Sequence, residues 1–488
     1  MQQFLDQLLN FVKTANSYLA DYILIVLLVG VGIFYTIKTR FVQVRCFKQG
    51  MKQVFGNLSL NGKKQKGGMS SFQAFTTAIA AQVGTGNIIG ASGAILAGGP
   101  GAIFWMWVIA FFGMATNYSE AVLAQRTRLI NKDRSVSGGP VYYIKKAFKG
   151  NLGKFLAGFF AVGTVLALGF IGTTVQSNSI ASTINEVSNI DTWIIGIVLA
   201  ILATLIFIGG VSRLASVTEK VVPIMAMLYI LGGLIIICCN ITHLPEAFYM
   251  IFKFAFVPQA IIGGGVGAAF KIALSQGAKR GLFSNEAGMG STPHAHAQAN
   301  VENAHKQGVS AMVGVFFDTF VVLTMTALVI ISTLYAGNGM LSSPDKLAVA
   351  LNSGIDKTNL VQNAIATVFN GSNLGLTIGG IFVAVCLFFF AFSTILSWNL
   401  FGKINFTYLF GKKSALIYTI ISILFVFLGA VFKNDLVWEL TDFFNYLMVL
   451  PNVLALFVLS KTVVDELKTN GKKSVKDTPN QPLNQNIK

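Results

Sequence analysis

The chain of 488 residues is 54% hydrophobic and only 11% charged, with a mean hydropathy of +0.66. A soluble domain carries about 25% charged residues, so this composition excludes a soluble protein and predicts an integral membrane one. The formal charge of +17 does not mark a nucleic-acid binder, because the basic residues fall in short loops between apolar runs, the topology signal of a membrane protein.

Residues 1–19 alternate apolar and polar positions (Phe4, Leu5, Leu8, Leu9, Val12). They have no basic n-region and no small-residue cleavage site, which predicts a short helix on the membrane surface rather than a signal peptide. Apolar runs long enough to span follow at roughly 20–37, 72–97, 100–125, 154–182, 192–210, 220–240, 260–282, 308–335, 375–401, 414–432 and 443–460. That is about eleven spans, since about 20 helical residues cross the hydrocarbon core. The loop after the first span holds Lys38, Arg40, Arg45, Lys48, Lys52, Lys63, Lys64 and Lys66 with no acid, which predicts a cytoplasmic loop and an N-terminus outside. Alternating from there, only Lys13, Lys253, Lys346, Lys357 and Lys433 fall outside, and Lys271 falls within a span. The rest of the 36 basic residues, Lys279 and Arg280 included, fall inside, and so does the C-terminus.

Setting the first span aside leaves ten, which divide five and five. Residues 1–70 then form the surface helix, an extra span and the basic loop, and 71–240 and 241–460 form two five-helix repeats. Residues 461–488 form a polar cytoplasmic tail. The fold class predicted is an all-α integral membrane protein with a five-plus-five inverted repeat, in which the first helix of each half is interrupted near the midplane.

The first of these interrupted helices lies in 72–97, at Ala80-Ala81-Gln82-Val83-Gly84-Thr85-Gly86-Asn87-Ile88-Ile89-Gly90. Each glycine costs about 1 kcal/mol against alanine in a helix interior, and three close together invite the backbone to unwind. Unwound backbone at membrane depth survives only where it is buried in protein or lines a cavity. The alternative is that these glycines only let helices pack closely. The corresponding helix of the second half carries Gly263-Gly264-Gly265, Gly267 and Ser275-Gln276-Gly277, where a second interruption is expected.

Polar groups inside the other spans are the candidates to face these breaks. Gln176, in Gly172-Thr173-Thr174-Val175-Gln176-Ser177-Asn178-Ser179, offers a donor and an acceptor to an ammonium or carboxylate, or else bridges two helices. Ser393 and Thr394 are hard oxygen donors suited to a small cation, or else bond back onto their own helix. Lys271 and Asp318 are the ionisable residues near mid-span, positioned to pair with one another as a structural ion pair or to take part in coupling. Glu120 closes its span and is expected to be solvated at the interface. Cys238, Cys239 and Cys386 lie in apolar runs and are expected in the core, with Cys46 a free loop thiol; their spacing matches no metal motif. His294 and His296 are expected to be solvated in a polar loop. No Walker A loop, His-Glu-x-x-His pair or G-x-S-x-G elbow is present, which argues against direct use of ATP and against an enzyme, so no catalytic residue is assigned. A channel needs continuous polar stripes along several spans, whereas here polar residues cluster near the midplane.

Several stretches resemble the alanine or glycine–cation symporters of bacteria and archaea. They are Gln82-Val83-Gly84-Thr85-Gly86-Asn87-Ile88, Gly98-Gly99-Pro100-Gly101-Ala102-Ile103-Phe104-Trp105, Gly138-Gly139-Pro140-Val141-Tyr142-Tyr143, Val175-Gln176-Ser177-Asn178-Ser179, Arg280-Gly281-Leu282-Phe283-Ser284-Asn285-Glu286-Ala287-Gly288 and Ala391-Phe392-Ser393-Thr394. The resemblance implies sodium-coupled uptake of alanine or glycine and a fold of the amino acid–polyamine–organocation superfamily, similar to the leucine transporter. It implies no organic cofactor, a protein in the cell membrane and a monomeric functional unit. Carried over by position, it places the substrate on Thr85, Gly86 and Asn87, with Gln176, Ser275, Gln276 and Gly277 completing the pocket and Trp398 in its apolar wall. It places sodium on the carbonyls of Ala80 and Val83 and the hydroxyls of Ser393 and Thr394. Lys271 departs from the family pattern, and a proton-coupled carrier in which Lys271 or Asp318 titrates is the closest rival.

Overall fold

The computed structural model describes residues 2–56, 68–133, 135–257, 266–432 and 435–471. Gly263-Gly264-Gly265, Lys63, Lys64, Lys66, Arg134, Lys433 and the tail beyond 471 lie outside the described residues. The chain is almost wholly helical; the strands among the described residues are a short antiparallel ribbon, Leu129–Ile130 with Val136–Ser137.

The helices that build the bundle are α1 (Leu5–Lys38), α2 (Phe47–Phe55), α3 (Ser71–Gln82), α4 (Gly86–Gly98), α5 (Gly101–Thr127), α6 (Gly150–Ser188), α7 (Thr192–Phe207) and α8 (Gly210–Cys239). The second half adds α9 (Val266–Asn285), α10 (Pro293–Gln298), α11 (Ala304–Tyr335), α12 (Asn373–Phe410), α13 (Lys412–Val431) and α14 (Leu436–Val458). Among the described residues eight of these are long and apolar enough to cross a membrane, and α3 with α4 forms a ninth span bent by 46° at its break. The two remaining expected spans correspond to α7, apolar but about 24 Å long at 1.5 Å per residue, and to α9, which carries Lys271, Lys279 and Arg280.

Side-chain exposure divides as a bilayer requires. Ile197, Ile201 and Leu205 on α7 and Ile224, Leu231 and Ile235 on α8 are exposed apolar residues facing outward. The polar residues Gln82, Thr85, Asn87, Gln176, Asp318 and Thr394 are buried inside. This inversion follows from the solvent: lipid accepts apolar side chains, while polar groups must find partners within the protein.

Two expectations are corrected here. The N-terminal segment does not end as a separate surface helix but runs on into the first span, and Asn16 Nδ2 donates to the carbonyl and carboxylate of Glu439 at 2.8 and 2.7 Å. Cys238 and Cys239 are exposed at the end of α8, whereas Cys46 is buried.

Candidate functional site

Helix α3 starts on a capping box, in which Ser70 Oγ accepts from the Gln73 amide and Gln73 Oε1 accepts from the Ser70 amide, both at 3.0 Å. It stops where Val83 turns extended (φ −82°, ψ 92°). Two side chains then take the amides that would have continued it. Gly84 N–H donates to Asn87 Oδ1 at 3.0 Å, and Thr85 N–H donates to Gln176 Oε1 at 3.3 Å. The Ala80 carbonyl accepts instead from Thr394 Oγ1 at 2.9 Å, and the Val83 carbonyl lies 3.5 Å from the same oxygen. Gly84 is needed for this approach, since an added Cβ would stand 2.5 Å from Thr394 Oγ1. Thr85 Oγ1 is buried and has no hydrogen-bond partner among the described residues. A buried hydroxyl in this state at the break is open to a bound ligand.

Helix α4 opens with a π-helical turn at Gly86–Gly90, which packs against a second π-helical segment, Phe316–Leu323, within α11. Such turns often mark functional positions. Asp318 lies there, fully buried. Its carboxylate accepts from Asn87 Nδ2 at 2.6 Å, from Thr319 Oγ1 at 2.8 Å and from Ser284 Oγ at 2.9 Å. Asn87 is thus committed at both ends, and its own carbonyl accepts from Thr326 Oγ1 at 2.7 Å.

The expected pairing of Asp318 with Lys271 is not there. Lys271 is exposed, 3.3 Å from Tyr22 Oη and 5.0 Å from the centre of that ring. The residue of α9 that reaches Asp318 is Ser284, thirteen positions and about 20 Å further along the helix.

The expected interruption at Ser275-Gln276-Gly277 is also corrected. Helix α9 passes through these residues unbroken, and Gly277 is a packing glycine: an added Cβ would stand 2.6 Å from Trp105 Cβ and 2.7 Å from the Ala102 carbonyl. Ser275 is buried and Gln276 half-buried, with Gln276 near Gly98 at the far end of α4. The chain breaks instead between α9 and α10, where Glu286 (φ 56°), Gly288 (φ 87°) and Gly290 (φ 83°) adopt left-handed conformations. Glu120 holds this break: Oε2 accepts from Gly288 N–H at 3.1 Å and Oε1 from Asn452 Nδ2 at 2.6 Å. Tyr143 donates to Asn452 Oδ1 in turn. Glu120 is therefore fully buried rather than solvated. Glu286 accepts from Ser291 Oγ at 2.5 Å and from Trp398 Nε1 at 2.7 Å, so Trp398, expected only as apolar surface, makes a polar contact. His294 and His296 are buried too; His294 meets the Ser291 carbonyl and Asn405, and His296 meets Gln307, each at 2.7 Å.

On the approach of α9 to the site, Phe283 packs against Gly86, with its ring 6.3 Å from that of Trp398 and 6.0 Å from that of Trp438. One turn earlier Arg280 Nη1 lies 3.5 Å from Asp442 Oδ2. Both hydroxyls bond back onto the Phe390 carbonyl, Ser393 at 2.9 Å and Thr394 at 3.0 Å, but Ser393 Oγ lies beside Met225 Sδ at 3.5 Å and not against the carbonyls of the break. The structure thus brings Ala80, Val83, Thr85, Gly86, Asn87, Gln176, Asp318 and Thr394 together. It leaves Ser275, Gln276, Gly277 and Lys271 apart, and it adds Ser284, Glu286 and Glu120. Ser284 and Glu286 stand in the recognisable Arg280–Gly288 stretch, whereas nothing near Glu120 in the sequence points to a partner 168 positions away.

A bundle of apolar helices whose buried polar residues gather around two interrupted helices has the build of a multi-pass secondary transporter. The profile of the sodium:alanine symporter family matches residues 5–484, and the chain belongs to that family, whose members are transporters and not enzymes. It is 40% identical to the sodium/alanine symporter AgcS of Methanococcus maripaludis, covering 94% of this chain and 96% of that one. It is 39% identical to the putative sodium/proton-dependent alanine carrier YrbD of Bacillus subtilis, covering 94% and 92%. The fold is that of the leucine-transporter class: the crystal structure of MhsT in complex with L-phenylalanine matches with a TM-score of 0.58 at 15% identity, over 83% of this chain and 93% of that one. The chain is thus a cation-coupled amino acid symporter of the multi-pass membrane class.

Proposed function

We propose that the protein couples sodium entry to the uptake of a small neutral amino acid, alanine or glycine, by alternating access around the two breaks. The observation that carries this reading is the break at Val83-Gly84-Thr85, set between Thr394 on one side and Gln176 on the other, with the Thr85 hydroxyl buried and without a partner among the described residues. Sodium is taken by the carbonyls of Ala80 and Val83 with Thr394 Oγ1, an all-oxygen set suited to a hard cation. The substrate carboxylate is taken at Thr85 and Gly86, where the start of α4 presents backbone amides and the positive end of its dipole. Gln176 lies beside it. Asn87 serves as a positioning residue, since both ends of its side chain are already engaged.

In this reading residues 71–240 and 241–460 are the two repeats, each opening on an interrupted helix. The N-terminus is outside, the C-terminus cytoplasmic, and the functional unit a monomer. Alanine and glycine differ by one methyl group, worth only about 1–3 kcal/mol in a pocket, so their ratio depends on fine side-chain placement.

A second reading, proton coupling, is favoured by one observation. Asp318 is a buried carboxylate with no ion-pair partner among the described residues. Uptake of labelled alanine into proteoliposomes separates the two. An inward sodium gradient is expected to drive accumulation and a proton gradient of equal size is not; uptake that follows protons and ignores sodium overturns the sodium reading.

A further inference from the structure

Beside the first break lies a cleft of about 280 Å³ between α2, α3, α8 and the π-helical segment of α11. Its lining includes Val54, Phe75, Val83, Val222, Met225 and Phe317. The one polar residue in that lining, Thr76, is turned onto its own helix, its hydroxyl donating to the Gln73 carbonyl at 3.0 Å. The described residues of the lining therefore offer an occupant no side-chain hydrogen bond. Its rim on α8 continues into exposed apolar residues, Ile224 and Leu231, so it opens on the surface that faces lipid.

The mouth has a different character. Lys52 stands one turn before Phe55 and Lys220 one turn before Pro223, so each shares a helix face with a residue that lines the cleft; both lysines are exposed, as is Lys48 one turn before Lys52. Both helices present these lysines beside the start of α3, where Gln53 Nε2 donates to Ser71 Oγ at 3.4 Å and Gln73 Nε2 to Glu219 Oε2 at 3.0 Å, so the cationic side chains stand at one end of the apolar cleft. The floor lies against the transport machinery: Val83 is the residue at which α3 ends, and Met225 Sδ is 3.5 Å from Ser393 Oγ.

We propose that this cleft binds an anionic phospholipid, with an acyl chain between α3 and α8 and its phosphate at Lys48, Lys52 and Lys220. The tail alone gains little, because the surrounding lipid is as apolar as the cleft. Selectivity comes from the headgroup, since lysines at the membrane surface attract anionic lipid. A chain seated there lies along the first half of the interrupted helix, between α3 and α8.

The test uses the full-length protein in proteoliposomes with two photoreactive probes, a phosphatidylglycerol and a phosphatidylcholine, each with a diazirine near the acyl terminus. Labelled peptides are mapped by mass spectrometry. The phosphatidylglycerol probe is expected to label the segments 72–83 and 222–230 at least threefold more than the phosphatidylcholine probe. Ala226→Trp, which fills the cleft, is expected to remove that labelling. The surface pair Lys52→Gln with Lys220→Gln is expected to abolish the difference between probes while leaving the fold intact. Equal labelling by the two probes, labelling unchanged in both variants, or labelling spread evenly over outward faces such as α7 overturns the proposal. The readout needs no transport, so it stands or falls apart from the symport reading.

Discussion

Gly84 has no side chain, and the atom that would meet one is Thr394 Oγ1, 2.5 Å from an added Cβ. Gly84→Ala is therefore expected to push α12 away from the break. Overpacking of this kind costs about 1–3 kcal/mol, read as a lower unfolding midpoint of the purified protein together with a higher sodium concentration for half-maximal uptake. Thr394 and its neighbour Ser393 separate by the same logic. Only Thr394 reaches the Ala80 and Val83 carbonyls, so Thr394→Ala is expected to raise the half-saturating sodium concentration roughly tenfold, the value of about 1.4 kcal/mol. Ser393→Ala is expected to change it far less, and equal effects would contradict the assignment. At this scale the sequence was readable where a polar residue interrupts an apolar run, as at Thr85, Gln176 and Thr394. It misled at Lys271 and Glu120, whose depth depends on where helices end and on which distant helix packs alongside.

The two interrupted helices are held by the same device used twice: a side chain from another helix takes an amide that the helix would have used. At the first break that side chain is Gln176, and at the second it is Glu120, which accepts from both Gly288 N–H and Asn452 Nδ2. A glutamine at 120 has one acceptor oxygen for two donors. Glu120→Gln is thus expected to leave one buried donor unsatisfied, at about 1–3 kcal/mol, and to impair uptake in protein that still inserts; wild-type uptake and thermal stability would show that the second break does not depend on Glu120. The first break was legible because its glycines and its polar residues coincide in 82–87. The second was placed about ten residues too early, because a packing glycine and a hinge glycine look alike in a sequence. Gly277 serves close contact with α5, while Gly288 and Gly290 serve a left-handed backbone.

For the molecule as a whole, the class of fold followed from composition and the spacing of apolar runs, because lipid leaves few ways to satisfy a backbone. The orientation rests on the basic loops alone and can be checked separately. Cys238 and Cys239 are exposed at the end of α8, on the side the proposed topology places outside, while Cys46 and Cys386 are buried. A membrane-impermeant maleimide is expected to label intact cells at Cys238 and Cys239, with Cys238→Ser and Cys239→Ser together removing the label; reaction only after the membrane is permeabilised would invert the topology.

The central claim is that one break in one helix serves two ligands, with carbonyls on the Ala80–Val83 side for sodium and amides on the Thr85–Gly86 side for a carboxylate. Sites that share a backbone segment should be thermodynamically coupled, and such coupling is reciprocal. The direct measurement is alanine binding to the purified protein by isothermal titration at low and at high sodium, with potassium replacing sodium to hold ionic strength. Sodium is expected to tighten alanine binding at least tenfold in the wild type and far less in Thr394→Ala. Alanine binding of equal strength with and without sodium would contradict the account.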